Sequence, residues 1–298
     1  MARRVNALAA MSGFAALSFA FPPLLVMSFA TLGLVTMRKG GREGVLLLLG
    51  CITLFAVMSF LLTQVIRADL MILATLWLMV WCGALVYRFM STPAWMINAV
   101  GVIGLCSVAG FYLVVSDPAA FWLVILEQHL KPIFVEQQML SSDAELDQLL
   151  KLLAGVLTGG FAALICVLLI VSLLLARWWQ AMLYNPGGFR QEFYQLRLGH
   201  ITATVLIVLL IVSMVGRYAI FSDMATVLWL LFFFQGLAVV HGLIGMTGLG
   251  IGWLVTLYML LAIVPNYASP VVSGLGLVDT WFNFRRRVPK KNKPDITE

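Results

Sequence analysis

The sequence predicts an all-α, polytopic membrane protein, and three observations carry this prediction. Of its 298 residues, 62% are hydrophobic and only 11% are charged, which leaves too few polar groups to cover the surface of a soluble domain. Several apolar runs reach the roughly 20 residues that a helix needs to cross the hydrocarbon core. None of these runs has the strict alternation of a membrane barrel strand. We expect about eight full transmembrane helices and a short N-terminal helical hairpin.

The N-terminal apolar run covers residues 6–37 and contains the triplet Phe21-Pro22-Pro23. Proline lacks the backbone N–H of a helix interior, so the triplet divides the run. Each arm of about 15 residues spans only about 22 Å. Either one kinked helix or a hairpin of two helices fits this pattern.

Seven further spans are clearly apolar, and an eighth is not. The seven are predicted over residues 44–66, 69–88, 94–115, 152–176, 200–218, 224–242 and 249–265. The eighth, 266–283, is rich in polar and small residues, so it must be buried among other helices if it crosses. The run Gly248-Leu249-Gly250-Ile251-Gly252 is interpreted as a turn between spans, because it lacks the lysine and the preceding strand of a phosphate loop.

The membrane domain covers residues 1–284, with a basic tail over 285–298. An acidic insertion over 116–151 contains Ser142-Asp143-Ala144-Glu145, which has the form of a helix-capping box. We expect the helix that starts there to run unbroken into the span at 152–176.

A second polar stretch, residues 177–199, is predicted as an amphipathic segment at the membrane interface. Its aromatic and basic side chains follow helical spacing on both sides of Asn185-Pro186-Gly187-Gly188, and these four residues break a helix. The pattern indicates two short interfacial helices.

Positive charge is concentrated on one side of the predicted membrane. With the N-terminus in the cytoplasm and every predicted segment crossing, 15 of the 19 lysines and arginines lie inside, as is typical of cytoplasmic loops. The exceptions are Arg67, Lys131, Lys151 and Arg217. We therefore expect a bacterial inner-membrane protein with both termini in the cytoplasm. The net charge of +6 then reflects orientation and attraction to anionic lipid headgroups, not nucleic-acid binding.

Polar side chains at membrane depth are the candidate ligand site. Gln235, His241 and Asn266 could line a polar pathway for a small molecule, although each could equally bond a neighbouring helix. Charged residues near span ends, namely Arg67, Arg88, Arg217 and Asp223, are interpreted as reaching the interface.

The basic face is a second candidate site, for anionic lipid or a protein partner. Its predicted members are Trp178, Trp179, Arg190, Arg197, Arg285, Arg286 and Arg287. Asp279, where the last segment ends, could pair with Arg285 or with an arginine of the interfacial stretch.

No catalytic residue, cofactor or metal site is predicted. Cys51, Cys82, Cys106 and Cys166 each lie inside an apolar run and lack the spacing of a metal site or redox pair. The sequence contains no nucleophile elbow and no metalloprotease motif. An enzyme is therefore disfavoured.

Two stretches carry a family resemblance. NPGGFRQEFYQLRLGH, followed by apolar spans and then by GLGLVDTWFNFRRR, resembles the YybS-like family of uncharacterised bacterial membrane proteins, over most of the chain. That family is distantly similar in design to the substrate-binding subunits of energy-coupling-factor vitamin transporters. The resemblance implies a multi-helix inner-membrane protein and assigns no functional residues. This chain departs from those subunits in having more predicted crossings.

Three functions follow from these patterns. The leading prediction is a transporter-like or small-molecule-binding protein, because the polar last segment must line protein or a cavity. The alternative is a membrane scaffold that recruits cytoplasmic partners or anionic lipid through its basic face. The third is a membrane enzyme acting on lipid-linked substrates. A homo-oligomer or a separate protein partner is compatible with each.

Overall fold

The structure, a computed structural model, describes residues 2–63, 68–136 and 143–287, and these residues form helices and turns without a strand. The all-helical prediction is confirmed. The helices are α1 (Ala2–Leu17), α2 (Leu24–Lys39), α3 (Gly41–Thr63), α4 (Ala68–Met90), α5 (Pro93–Val114), α6 (Pro118–His129), α7 (Lys131–Glu136), α8 (Asp143–Tyr184), α9 (Gly188–Tyr194), α10 (His200–Gly216), α11 (Ala219–Thr247), α12 (Gly252–Ile263), α13 (Pro265–Phe282) and α14 (Phe284–Arg287).

Within the described ranges, five helices are long and apolar enough to cross a membrane, as expected of a multi-pass membrane protein. They cover Gly41–Leu61, Asp69–Met90, Pro93–Val114, Ala144–Tyr184 and Ala219–Thr247. Three other predicted spans fall short of this standard. The helices α10 and α12 have 17 and 12 residues, or about 26 and 18 Å, against a hydrocarbon core of about 30 Å. The 18 residues of α13 are too polar, so the predicted count of eight full crossings is not confirmed.

The N-terminal run folds as two helices, broken at Phe21-Pro22-Pro23 as predicted. A buried serine fastens them, because the Ser28 hydroxyl donates to the Met11 carbonyl oxygen at 2.9 Å. The indole N–H of Trp77, a fully buried side chain, donates to the same hydroxyl at 3.2 Å. This contact ties α1 and α2 to α4, so the hairpin packs onto the next helices instead of forming one kinked rod.

The acidic insertion contains α6, α7 and the start of α8. The Asp117 carboxylate caps α6 by accepting from the Ala120 N–H at 3.0 Å, as an N-cap residue does. The predicted capping box begins at Ser142, which lies outside the described residues. The helix α8 runs unbroken from Asp143 through the predicted span, as the sequence indicates.

The interfacial stretch contains one short helix, where the sequence predicts two. Residues 177–184 are the end of α8, because nothing in them stops a helix before Asn185. The break itself lies where predicted, and Gly187 has a φ of 85° there, which favours glycine. Only α9 is a separate short helix.

The chain divides into two compact units. Unit 1 contains residues 1–100, 168–200 and 231–298, and unit 2 contains 101–167 and 201–230. In unit 2, a Cβ added at Gly104 would lie 2.6 Å from the sulfur of the buried Cys166 and 2.7 Å from a Val227 methyl group. The helices of unit 2 therefore pack closely around this glycine.

Candidate functional site

Gln235 joins three chain segments of unit 1. It lies in α11, and its side chain is fully buried. Its amide oxygen accepts from the Leu198 N–H at 2.8 Å. Its amide nitrogen donates to the Gly276 carbonyl oxygen at 2.7 Å and to the Thr280 hydroxyl at 3.2 Å. Because both ends of this amide are bonded to protein, Gln235 fixes α13 and the segment before α10 against α11.

Two glycines let the backbones of α11 and α13 touch beside Gln235. A Cβ added at Gly236 would overlap the Val272 carbonyl oxygen. One added at Gly276 would overlap the Phe232 carbonyl oxygen and lie 2.6 Å from the Gly236 nitrogen. The small residues of the last predicted segment thus allow the close helix approach expected of them.

A buried ion pair extends this contact. The Asp279 side chain is fully buried and that of Arg285 is 8% exposed. The Arg285 guanidinium donates to the Asp279 carboxylate at 2.6 Å, and also to the carbonyl oxygens of Leu196 at 3.0 Å and Tyr194 at 2.6 Å. Burial lowers the pKa of Arg285 from its usual value, against the opposing effect of Asp279. Of the two partners predicted for Asp279, the structure gives it Arg285.

The basic face predicted from the sequence divides into structural and exposed members. Arg285 is buried, and Arg197 donates to the Thr280 carbonyl oxygen at 2.8 Å, so both hold the bundle together. The exposed arginines are Arg190, Arg286 and Arg287. Trp178 is exposed and Trp179 is half-buried. Only part of the predicted set is therefore open to a lipid or a partner.

A second buried arginine, Arg177, is one that the sequence did not single out. The Arg177 side chain is 6% exposed and forms a two-pronged contact with Glu192, with the Nε–Oε2 distance at 2.9 Å. The Tyr87 hydroxyl donates to the same carboxylate at 3.1 Å. The three side chains join α4, α8 and α9. Glu192 is the single carboxylate in residues 177–200, and this isolation is the signal that could have found it.

The predicted polar pathway residues do not converge. The His241 Nδ1 lies 2.8 Å from the Leu237 carbonyl oxygen of its own helix, and its Nε2 lies 3.3 Å from the Tyr258 hydroxyl. Asn266 is exposed in the first turn of α13, about 15 Å of helix before Gly276. Gln235, His241 and Asn266 therefore occupy three separate environments.

In unit 2, Asp223 differs from its interpretation as an interfacial charge. It is 3% exposed, and its carboxylate accepts from the Tyr112 hydroxyl at 2.7 Å. A Cβ added at Gly159 would lie 2.7 Å from its Oδ1, so the glycine makes room for it. Burial of this carboxyl group is compensated by the hydrogen bond from the Tyr112 hydroxyl.

An apolar cavity of about 710 Å³ lies between α1, α3 and α4 in unit 1. It is lined by Ala9, Ser12, Gly13, Ala16, Phe19, Leu54, Phe55, Met58, Ser59, Asp69, Leu70 and Leu73. Among these described residues, Asp69 alone is charged. The Ser12 hydroxyl is bonded to the Leu8 carbonyl oxygen at 2.7 Å, so it adds little polarity. The volume lies within the range of about 300–1,000 Å³ that is typical of ligand pockets.

Comparison of the chain with protein-family models, with curated proteins and with solved structures finds no match in any of the three. The resemblance to the YybS-like family stays a prediction. Within residues 2–63, 68–136 and 143–287, no group of three or more His, Cys, Asp or Glu side chains is placed to hold a metal ion. A function for the chain therefore has to be argued from its cavities and polar clusters.

Proposed function

We propose that the chain is a transporter-like integral membrane protein that binds an apolar or amphipathic small molecule between α1, α3 and α4. The observation that carries this proposal is the apolar cavity of about 710 Å³. An apolar ligand there would gain van der Waals contacts with the lining, and few polar groups would be left unbonded against it.

The helix α1 provides the room for such a molecule. Four of its small residues recur at helical spacing and line one side of the cavity, namely Ala9, Ser12, Gly13 and Ala16. Bulkier side chains of α3 and α4, such as Phe55 and Leu73, form other walls. Small residues that face a neighbouring helix usually bring the two backbones together, whereas here they border an open space.

A plugged variant tests the proposal. A Cβ added at Gly13 meets no atom within 4 Å, so Gly13→Phe places a ring in the cavity without a backbone clash. The matched control is Gly160→Phe, at an exposed glycine of α8 whose Cβ also meets nothing within 4 Å. The probe is a diazirine-bearing palmitate added to the purified full-length protein.

We expect crosslinks at the cavity residues in the wild-type protein and in Gly160→Phe, and their loss in Gly13→Phe. Native mass spectrometry of the same samples would identify any molecule that co-purifies. Equal crosslinking of all three proteins, or wild-type crosslinks spread evenly over exposed apolar residues, would contradict a binding site here.

A second candidate function is the membrane scaffold, which the exposed Arg190, Arg286 and Arg287 favour. These guanidinium groups could contact anionic lipid or an acidic partner. The test replaces all three by Gln and compares the proteins captured from membranes. An Arg217→Gln variant serves as control, because Arg217 is exposed and lies on the predicted outer side. Loss of a captured protein in the triple variant alone would favour the scaffold.

The orientation belongs to the same proposal: both termini in the cytoplasm of a bacterium, and residues 116–151 outside. Cysteine-accessibility reporters in the insertion and in the C-terminal tail test it in intact cells. We expect opposite labelling of the two positions, and labelling from the same side would overturn the orientation.

A further inference from the structure

A second, polar cavity of about 380 Å³ lies in unit 1, at the ends of α4 and α8. Its lining includes Tyr87, Arg88, Ser91, Arg177, Gln180 and Asn185. None of these residues belongs to the apolar cavity, and what the polar cavity binds does not depend on the proposed function.

Arg88 gives the polar cavity an uncompensated positive charge. Its Nη1 donates to the carbonyl oxygens of Met37 at 3.1 Å and Arg38 at 3.3 Å, which hold the guanidinium in place. Its Nε, Cζ and Nη2 atoms lie beside Gly40, 3.6–3.8 Å from where a Cβ of that residue would stand. None of the described carboxylates forms an ion pair with Arg88.

The other charged groups beside the polar cavity add no net negative charge. Arg177 pairs with Glu192, which also accepts from the Tyr87 hydroxyl. The Arg38 guanidinium lies over the Tyr184 ring at 3.3 Å from its centroid. A cation would therefore be repelled, whereas an anion would meet Arg88, whose Nε and Nη2 donors are not used by the described residues.

Gln180 supplies the second, independent observation. Its amide oxygen is buried and has no hydrogen-bond partner among the described residues, although Gln180 lies one helical turn after Arg177 and lines the polar cavity. Leaving such a group unbonded costs about 1–3 kcal/mol, and native proteins seldom tolerate it without a ligand, a water or a functional reason. Rotation about the side-chain bonds of Gln180 would turn this oxygen to the cavity, where it could accept from a hydroxyl or N–H group of a bound molecule.

We propose that the polar cavity binds a phosphate group that carries a neighbouring hydroxyl, as in phosphoglycerol. Arg88 bonds the phosphate oxygens with its planar fork, which matches oxyanion geometry. Gln180 accepts from the hydroxyl group of the same molecule. The volume is at the small end of ligand pockets, which suits a headgroup and not a folded partner. The phosphoglycerol could come from a membrane lipid or from a soluble metabolite.

The test uses purified full-length protein and four probes. Vesicles of phosphatidylglycerol and of phosphatidylcholine compare an anionic glycerol headgroup with a zwitterionic one. Soluble glycerol 3-phosphate and methyl phosphate compare a phosphate that has free hydroxyls with one that lacks them. We expect glycerol 3-phosphate, phosphatidylglycerol or both to bind, and methyl phosphate and phosphatidylcholine to bind more weakly.

Gln180→Glu is the decisive variant, because it keeps the shape of the side chain and sets a negative charge in the polar cavity. We expect it to weaken phosphate binding by about tenfold or more. Gln191→Glu makes the same charge change at an exposed glutamine of α9 and should leave binding unchanged. Arg88→Gln should also lose binding, and Gln180→Glu keeps the test valid if that variant fails to fold.

Binding of phosphatidylglycerol alone assigns the lipid as the source, and binding of glycerol 3-phosphate alone assigns the soluble compound. Equal weakening by Gln180→Glu and Gln191→Glu would reduce the effect to general surface charge and overturn the proposal. Methyl phosphate binding as tightly as glycerol 3-phosphate would remove the role of Gln180. No binding of any phosphate by the wild-type protein would end the proposal outright.

Discussion

Gln235 and Gln180 lie in the same unit, and both bury a side-chain amide oxygen, yet their surroundings differ completely. Gln235 is bonded to Leu198, Gly276 and Thr280, whereas the buried oxygen of Gln180 has no partner. A saturated amide stabilises the fold and has nothing left for a ligand. An unsaturated one costs stability and keeps its bonding capacity for a molecule from outside.

The largest effect is expected at the buried ion pair between Asp279 and Arg285. Arg285→Met leaves the buried Asp279 carboxylate without its partner, and breaking such a pair typically costs about 3–5 kcal/mol. The measurement is unfolding of the purified protein by SDS in mixed micelles. Arg287→Met is the control, since Arg287 is exposed, and it should change the midpoint little. Equal midpoints for the two variants would show that the Asp279 pair adds nothing to the cluster.

Gln235→Leu should destabilise the protein by about 1–3 kcal/mol, because it removes the hydrogen bonds that the Gln235 amide forms with the Leu198 N–H and the Gly276 carbonyl oxygen. Hydrogen–deuterium exchange should then become faster at the segment before α10 and in α13. Unchanged exchange in these segments would contradict the joining role assigned to Gln235.

The glycine contact beside Gln235 should be nearly as sensitive. Gly236→Ala forces a methyl group into the Val272 carbonyl oxygen, and such overpacking typically costs about 1–3 kcal/mol. Gly274→Ala is the matched control in α13, because a Cβ there meets no atom within 4 Å. The control should be neutral or slightly stabilising, since alanine favours a helix over glycine by about 0.5–1 kcal/mol. If a thermal melt showed Gly274→Ala to be less stable than Gly236→Ala, the close contact of α11 with α13 would not lie at Gly236.

The smallest effect, and the one of opposite sign, is expected at the unsaturated amide. Gln180→Leu removes a buried amide oxygen that has no hydrogen-bond partner among the described residues, so it should leave the stability of the ligand-free protein unchanged or raise it by less than about 1 kcal/mol. Compared with Gln235→Leu in the same assay, it measures the difference between the two amides directly. A loss of stability as large as that of Gln235→Leu would mean that Gln180 is bonded in the native protein.

Local signals in the sequence predicted the helices and their breaks. Proline at Phe21-Pro22-Pro23 and glycine at position 187 act on their own backbone, so the breaks are visible without a structure. The end of α8 was mistaken for a separate helix because the change from apolar to aromatic and basic residues at Arg177 marks a change of environment. It is not a helix stop.

The polar clusters depend on partners far apart in the chain, and the sequence located them only in part. Asp279 and Arg285 are six residues apart, which made their pairing a natural alternative. Arg177 and Tyr87 meet Glu192 only after three helices pack. Both cavities are likewise outside the reach of sequence patterns, since a space between helices leaves no periodic trace of its own.

The length of α8 has a mechanical consequence. Its 42 residues extend about 63 Å at 1.5 Å per residue, twice the thickness of the bilayer interior. Fitting the whole helix inside lipid tails would need an inclination of about 60°, beyond the 0–40° found for spanning helices. About half of α8 must therefore project into the aqueous or headgroup layers as a stiff rod. Because α8 is continuous from Asp143 to Tyr184, the turns outside the hydrocarbon core follow directly from those inside it.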